Sequence, residues 1–74
     1  MQVNVRLFAT LRIDREKEKL MNLPEKITVR NIIERLGISE QEAAIIFING
    51  CGAKFDHPLS DGDRLSIFPA VGGG

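Results

Sequence analysis

The chain opens on strict alternation. Val3, Val5 and Leu7 occupy one phase, and Gln2, Asn4 and Arg6 the other. Period-2 alternation with β-branched residues predicts a half-buried strand over residues 2–8. Phe8 closes it as an aromatic in the polar phase. The pattern then lapses over residues 9–17, and charge is dense from Arg12 to Lys19. That run reads as a solvated loop or a short helical turn. Lys19 to Leu23 predicts a second strand, ended by Pro24 and returning antiparallel to the first. The period changes at Thr28. Val29, Ile32, Ile33 and Leu36 fall at i, i+3, i+4 and i+7, which makes one apolar stripe of a helix. Arg30, Asn31, Glu34 and Arg35 cover its outside. Thr28 suits the N-cap, and Gly37 suits the left-handed residue that ends a helix. This helix is predicted to be the main cover of the sheet.

Ser39 and Glu42 have the spacing of a capping box. Ala44 to Ile48 is apolar in both phases, with Ile46 and Ile48 on one side and Ile45 and Phe47 on the other. A strand of this kind is usually covered on both faces; in so short a chain, the second cover is expected to be a partner protein. Asn49-Gly50 is a tight-turn signal. A short edge strand and a loop broken by Pro58 follow over residues 51–59. Asp61-Gly62-Asp63 is a further turn, and Arg64 to Phe68 is the last strand. Pro69 has no N–H, so regular pairing is expected to end there.

The predicted order is strand, strand, helix, strand, short strand, strand. One helix must cover one face of a small mixed sheet, through a right-handed crossover. The fold class is α+β, a β-grasp (ubiquitin-like) architecture with the first and last strands side by side at the centre. Residues 1–69 form this domain. Residues 70–74 are expected to be a flexible, glycine-rich C-terminal tail.

Composition narrows the function. Seventy-four residues make one domain, and a chain this small buries only about 60% of its unfolded surface. An apolar content of 43% argues for a folded domain. Ten basic residues balance ten acidic ones, which removes the electrostatic footprint of a nucleic-acid binder and of a polybasic membrane-surface protein. No signal-peptide pattern opens the chain, and Ala43 to Ile48 is too short an apolar run to span a bilayer. The expected setting is cytoplasmic.

A self-contained active site is hard to build from these residues. The one histidine, His57, lies in a turn, where a surface role is the ordinary one. Asp61 and Asp63 flank a glycine, and tight-turn chemistry explains them better than a metal. Cys51, between two glycines, is the only thiol. It has no activating base in sequence reach, and one cysteine cannot hold an iron–sulfur cluster, which excludes a β-grasp ferredoxin. No phosphate-binding loop is present. The chain is expected to bind no metal and no cofactor.

The tail remains. Gly72-Gly73-Gly74 lets a terminal carboxylate thread a narrow channel, because no Cβ meets the walls; ordinary fraying of a chain end is the competing explanation. Phe8, Phe47 and Phe68 all sit out of phase with the core alternation. They are expected to form an apolar patch on the sheet face away from the helix, and patches of this kind mark partner sites. Pro69 and Val71 join them as partner-binding candidates.

Taken together, Val5-Arg6-Leu7-Phe8-Ala9-Thr10-Leu11-Arg12, Thr28-Val29, Asn49-Gly50, Pro58-Leu59 and Asp61-Gly62-Asp63 through Gly74 resemble the MoaD/ThiS family of sulfur-carrier proteins over nearly the whole chain. The resemblance implies that an E1-like adenylating enzyme activates the Gly74 carboxylate with ATP and magnesium. A sulfur donor then converts the acyl-adenylate to a thiocarboxylate, which delivers its sulfur inside a second enzyme. The opening Leu-Phe-Ala-Thr-Leu-Arg and Ile67-Phe68-Pro69 resemble the small subunit of molybdopterin synthase, which implies that enzyme's large subunit as partner and a role in molybdenum or tungsten cofactor synthesis. Val71-Gly72-Gly73-Gly74 is similar to the ending of carriers that serve thiazole synthase in thiamine synthesis. A ubiquitin-like protein modifier and a plain interaction module are the other readings.

Overall fold

In the computed structural model, which describes residues 1–70, the elements are β1 (Gln2–Leu7), a 3-10 helix (Ala9–Arg12), β2 (Glu18–Asn22), α1 (Val29–Arg35), β3 (Ile45–Ile48), β4 (Cys51–Gly52) and β5 (Arg64–Phe68). The five strands form one sheet in the order β2-β1-β5-β3-β4. β1 and β5 run parallel at its centre, and every other pairing is antiparallel. This is the expected mixed sheet with one helix.

Strand phase decides the two faces. Val3, Val5 and Leu7 of β1, Leu65 and Ile67 of β5, and Ile46 and Ile48 of β3 are all buried. They pack with Val29, Ile32 and Ile33 of α1 in one cluster. The alternate residues of the same strands form the outer face. The aromatic closing β1 stays in register, since Phe8 N donates to Ile67 O at 3.2 Å. Ala9 then takes a φ of 52° and turns the chain out of the sheet.

The helix is shorter than its stripe suggested. It ends at Arg35, and Leu36, at the C-cap, is only half-buried. A helix of seven residues cannot cover a five-stranded sheet alone. Leu11 of the 3-10 helix completes the cover together with Leu23, Ile27, Ile38, Ala43 and Leu59 from turns and loops.

Both ends of α1 are closed. Thr28 Oγ1 accepts from Asn31 N at 3.4 Å, and Asn31 Oδ1 accepts from Thr28 N at 3.0 Å. Two further first-turn donors are satisfied by the distant loop: Val29 N donates to His57 O at 3.2 Å and Arg30 N to Phe55 O at 2.8 Å. At the other end Gly37 takes a φ of 73°, open to glycine at little cost. The Arg15 guanidinium donates to the carbonyls of Leu36 (3.3 Å) and Gly37 (3.2 Å), placing a cation at the negative end of the helix. Ser39 and Glu42 bond reciprocally as a capping box does, but the segment is a turn and no helix follows. Arg30 Nε reaches Glu40 Oε2 at 2.8 Å, and this hydrogen bond with its charge raises the Arg30 pKa above the ordinary arginine value.

Lys26 carries a φ of 64° at an exposed position. A left-handed conformation costs an L-residue roughly 1–2 kcal/mol, part of which glycine recovers. Lys26→Gly is expected to raise Tm by a few degrees in a thermal melt; a fall would show that the lysine side chain holds the turn.

Candidate functional site

The outer face of the sheet carries an aromatic cluster beside the end of β5. Phe8 and Phe68 stack with centroids 4.2 Å apart and planes 12° off parallel. Phe47 meets Phe68 edge-on at 5.8 Å and 90°. The register accounts for the grouping. Leu7 pairs with Ile67, which sets Phe8 beside Phe68, and Phe47 lies opposite Ser66, two residues before Phe68 on the same face. All three rings are half-buried because they cover one another. None lies beneath the helix.

The cluster has members that the sequence analysis did not assign to a site. Ile45 pairs directly with Phe68 and remains 44% exposed. The signal was present, since Ile45 shares the phase of Phe47. The guanidinium carbons of Arg6 and Arg12 lie 5.5 and 5.4 Å from the Phe8 ring centroid, within the range of cation–π attraction. Arg12 is held there by donating from Nε to Leu7 O at 2.8 Å. The rim is therefore basic and the centre apolar, which is how interaction surfaces are commonly built.

Pro69 follows directly and is half-buried, and Ala70 is exposed. The assignments made for Val71, Gly72, Gly73 and Gly74 lie outside the described residues.

The turn ahead of β5 places it. Asp61 Oδ1 accepts from Gln2 N, and Gly62 N donates to Gln2 O at 2.7 Å, which ties the turn to the start of β1. Asp63 accepts from Ser60 N at 2.8 Å and from Asn49 Nδ2 at 2.9 Å. Asn49 Oδ1 in turn accepts from Arg64 N at 2.9 Å. Asn49 and Gly50 both have positive φ, 52° and 83°, as a two-residue hairpin turn requires. Both carboxylates of Asp-Gly-Asp are thus engaged with backbone and amide donors. Among the described residues no group of three or more His, Cys, Asp or Glu is arranged to hold a metal ion. Cys51 is an exposed free thiol on the edge strand β4. His57 is exposed, and its carbonyl accepts the Val29 N–H of the helix. Among the described residues no helix is long and apolar enough to cross a membrane.

The model of the ThiS family matches residues 5–74. Among solved structures, the chain is similar to the putative molybdopterin converting factor subunit 1 of Pyrococcus furiosus. The two share 30% identity over 96% of this chain and 99% of that one, with a TM-score of 0.76. It is also similar to a chain of the complex of subunits 1 and 2 of the molybdopterin-converting factor of Helicobacter pylori, at 28% identity over the whole of both chains and a TM-score of 0.65. SAMP1 from Haloferax volcanii shares the fold at 20% identity, over the whole of both chains, with a TM-score of 0.75.

Proposed function

The chain belongs to the ThiS family, as a ubiquitin-like sulfur carrier of the MoaD/ThiS type, and from that premise we propose that it carries sulfur on the Gly74 carboxylate for molybdopterin synthesis. The observation that supports this pathway most directly is the likeness to the Pyrococcus furiosus subunit across nearly all of both chains. The Helicobacter pylori protein occurs in a complex with subunit 2 of its converting factor. By analogy, the partner that takes sulfur here is the large subunit of molybdopterin synthase.

The chemistry asks little of this chain beyond its terminus. A carboxylate is a poor acyl donor until one oxygen becomes a good leaving group. Its oxygen attacks the α-phosphorus of ATP, with magnesium, in the adenylating partner, and pyrophosphate leaves. Hydrosulfide, supplied by the sulfur donor, then attacks the acyl carbon; AMP departs and a proton is lost, leaving a thiocarboxylate. The chain supplies the grip. Gly74 comes six residues after Phe68, so the reacting carbon can sit at most about 22 Å from the aromatic cluster. Each partner must hold its active site within that distance of the surface that receives Phe8, Phe47 and Phe68. In this reading Pro69 and Val71 lead from grip to channel, and Gly72 and Gly73 pass through it.

A second reading has its own observation. The ending Val71-Gly72-Gly73-Gly74 resembles carriers that serve thiazole synthase. One experiment separates the two. Thiocarboxylated protein is offered in turn to the large subunit of molybdopterin synthase and to thiazole synthase, each with its acceptor substrate. Intact mass then reports the return of the terminus to a carboxylate. Sulfur loss is expected with the first enzyme alone. Loss with the second alone moves the chain to the thiamine pathway.

A further inference from the structure

The outer face of the sheet has a second half. Away from the aromatic cluster it becomes mainly polar, toward the Asn49-Gly50 and Asp61–Asp63 turns, with Leu20 of β2 exposed at its margin. The register sets Asn4 between Leu20 and Arg64, and Arg6 between Glu18 and Ser66. Asn4, Arg6, Glu18, Asn49 and Arg64 line one shallow depression of about 780 Å³.

The charges there are unevenly matched. Arg6 and Arg64 are exposed. Glu18 is the one carboxylate lining the depression, and its Oε2 stands 3.9 Å from Arg6 Nε with both side chains about half exposed. A pair that long and that wet neutralises little. Among the described residues the Arg64 side chain has no hydrogen-bond or ion-pair acceptor. Asp61 and Asp63 are the carboxylates nearest to it in sequence, and they are engaged by Gln2 N, Ser60 N and Asn49 Nδ2. Between the arginines, Asn4 Oδ1 is buried without a hydrogen-bond partner. That oxygen calls for a donor and not for a carboxylate, so the case for an anionic partner rests on the two guanidinium groups. The polar half is also continuous with the aromatic cluster, because Arg6 reaches back over the Phe8 ring.

We propose that Arg6 and Arg64 are the specificity-determining half of one docking surface, and that they receive a carboxylate-bearing segment of the adenylating enzyme. The proposal rests on the carrier reading above and adds the partner's charge. Phe68 comes four residue steps after Arg64 along β5, roughly 13 Å. The enzyme must therefore present an apolar contact near its tail channel and an acidic one about 13 Å further from it. Guanidinium–carboxylate contacts are charge-assisted and directional, and at an interface rim they act mainly on the rate of encounter.

The test uses the full chain and the adenylating enzyme from the same source. Association is followed at low and at physiological ionic strength for wild type, Arg6→Glu, Arg64→Glu and the double variant. Circular dichroism confirms that each is folded, as expected for exposed positions. The double variant should associate at least about tenfold more slowly at low salt. Its rate should also lose most of the salt dependence that wild type shows. An unchanged rate, or a faster one, overturns the proposal. A wild-type chain that neither binds nor becomes charged overturns the carrier reading instead. A wild-type chain that charges normally while the reversed variants associate at its rate removes only the acidic partner segment.

Discussion

Deletion of Gly74 is expected to abolish thiocarboxylate formation without disturbing the fold. The core, the turn at Asp61–Asp63 and both helix caps lie within residues 1–67. The loss would come from reach. With Gly74 gone, Gly73 presents its carboxylate up to about 3.6 Å short of the reacting position. A misplacement of about 1 Å already costs on the order of a hundredfold in rate. A C-terminal tag should have the same effect by a different route, since it turns the carboxylate into an amide that offers no anionic oxygen to ATP. Cys51→Ala should charge normally, because the thiol is exposed on an edge strand and the proposed chemistry gives it no step. Intact-protein mass after incubation with the adenylating enzyme, ATP, magnesium and a sulfur donor reads all three variants as replacement of one oxygen by sulfur. Normal charging of the deletion or of the tagged chain would remove Gly74 as the reacting group. A plain interaction module would then be the better account.

Most of the sheet was legible because its two faces differ in composition. Val3, Val5 and Leu7 alternate with polar residues, so phase alone assigned them to the core, and Leu65 and Ile67 followed from the same rule. The hairpin and the turn before β5 were legible from Asn49-Gly50 and Asp61-Gly62-Asp63, whose side-chain and backbone preferences are local. The cover over the sheet was legible only in part. Leu11, Leu23, Ile27, Ile38 and Leu59 are single apolar residues in segments without a period, and nothing local marks them as buried. Their burial follows from the shortness of α1, and that depends on where the chain leaves the helix at Leu36. The closing of the helix N-terminus by Phe55 and His57 was hidden for a similar reason, because backbone carbonyls from a distant loop leave no trace in residue type. At the candidate site the three phenylalanines were legible as residues out of phase. Their stacking was not, since it depends on the parallel register of β1 with β5. The charged half of the face was missed because Arg6 and Arg64 lie 58 positions apart (64 minus 6) and come together only through that register.

Phe68→Glu is expected to weaken binding to the adenylating enzyme by about thirtyfold or more while leaving the domain folded. Phe68 is the hub of the cluster, stacked on Phe8, edge-on to Phe47 and paired across the ladder with Ile45. Loss of two aromatic contacts costs about 1–3 kcal/mol of stability, at about 0.5–1.5 each beyond area burial, and the apolar area of a half-buried ring adds roughly 1 kcal/mol more. A domain of this length has roughly 4–11 kcal/mol to lose, at about 0.05–0.15 per residue. The substitution therefore lowers Tm but keeps the sheet, because the inward neighbours Leu65 and Ile67 remain fully buried. Binding suffers more in proportion. Central aromatic anchors contribute about 2 kcal/mol or more when truncated, and a carboxylate set among the rings adds a desolvation cost that the apolar contact of the partner cannot offset. The loss should appear mainly as faster dissociation, in contrast to the slower association expected on reversing Arg6 and Arg64. Kinetic binding measurements beside a thermal melt and a circular dichroism spectrum decide the matter. Native-like spectra with unchanged dissociation would show that the partner grips another face, and that the three rings serve only to close the open side of the sheet.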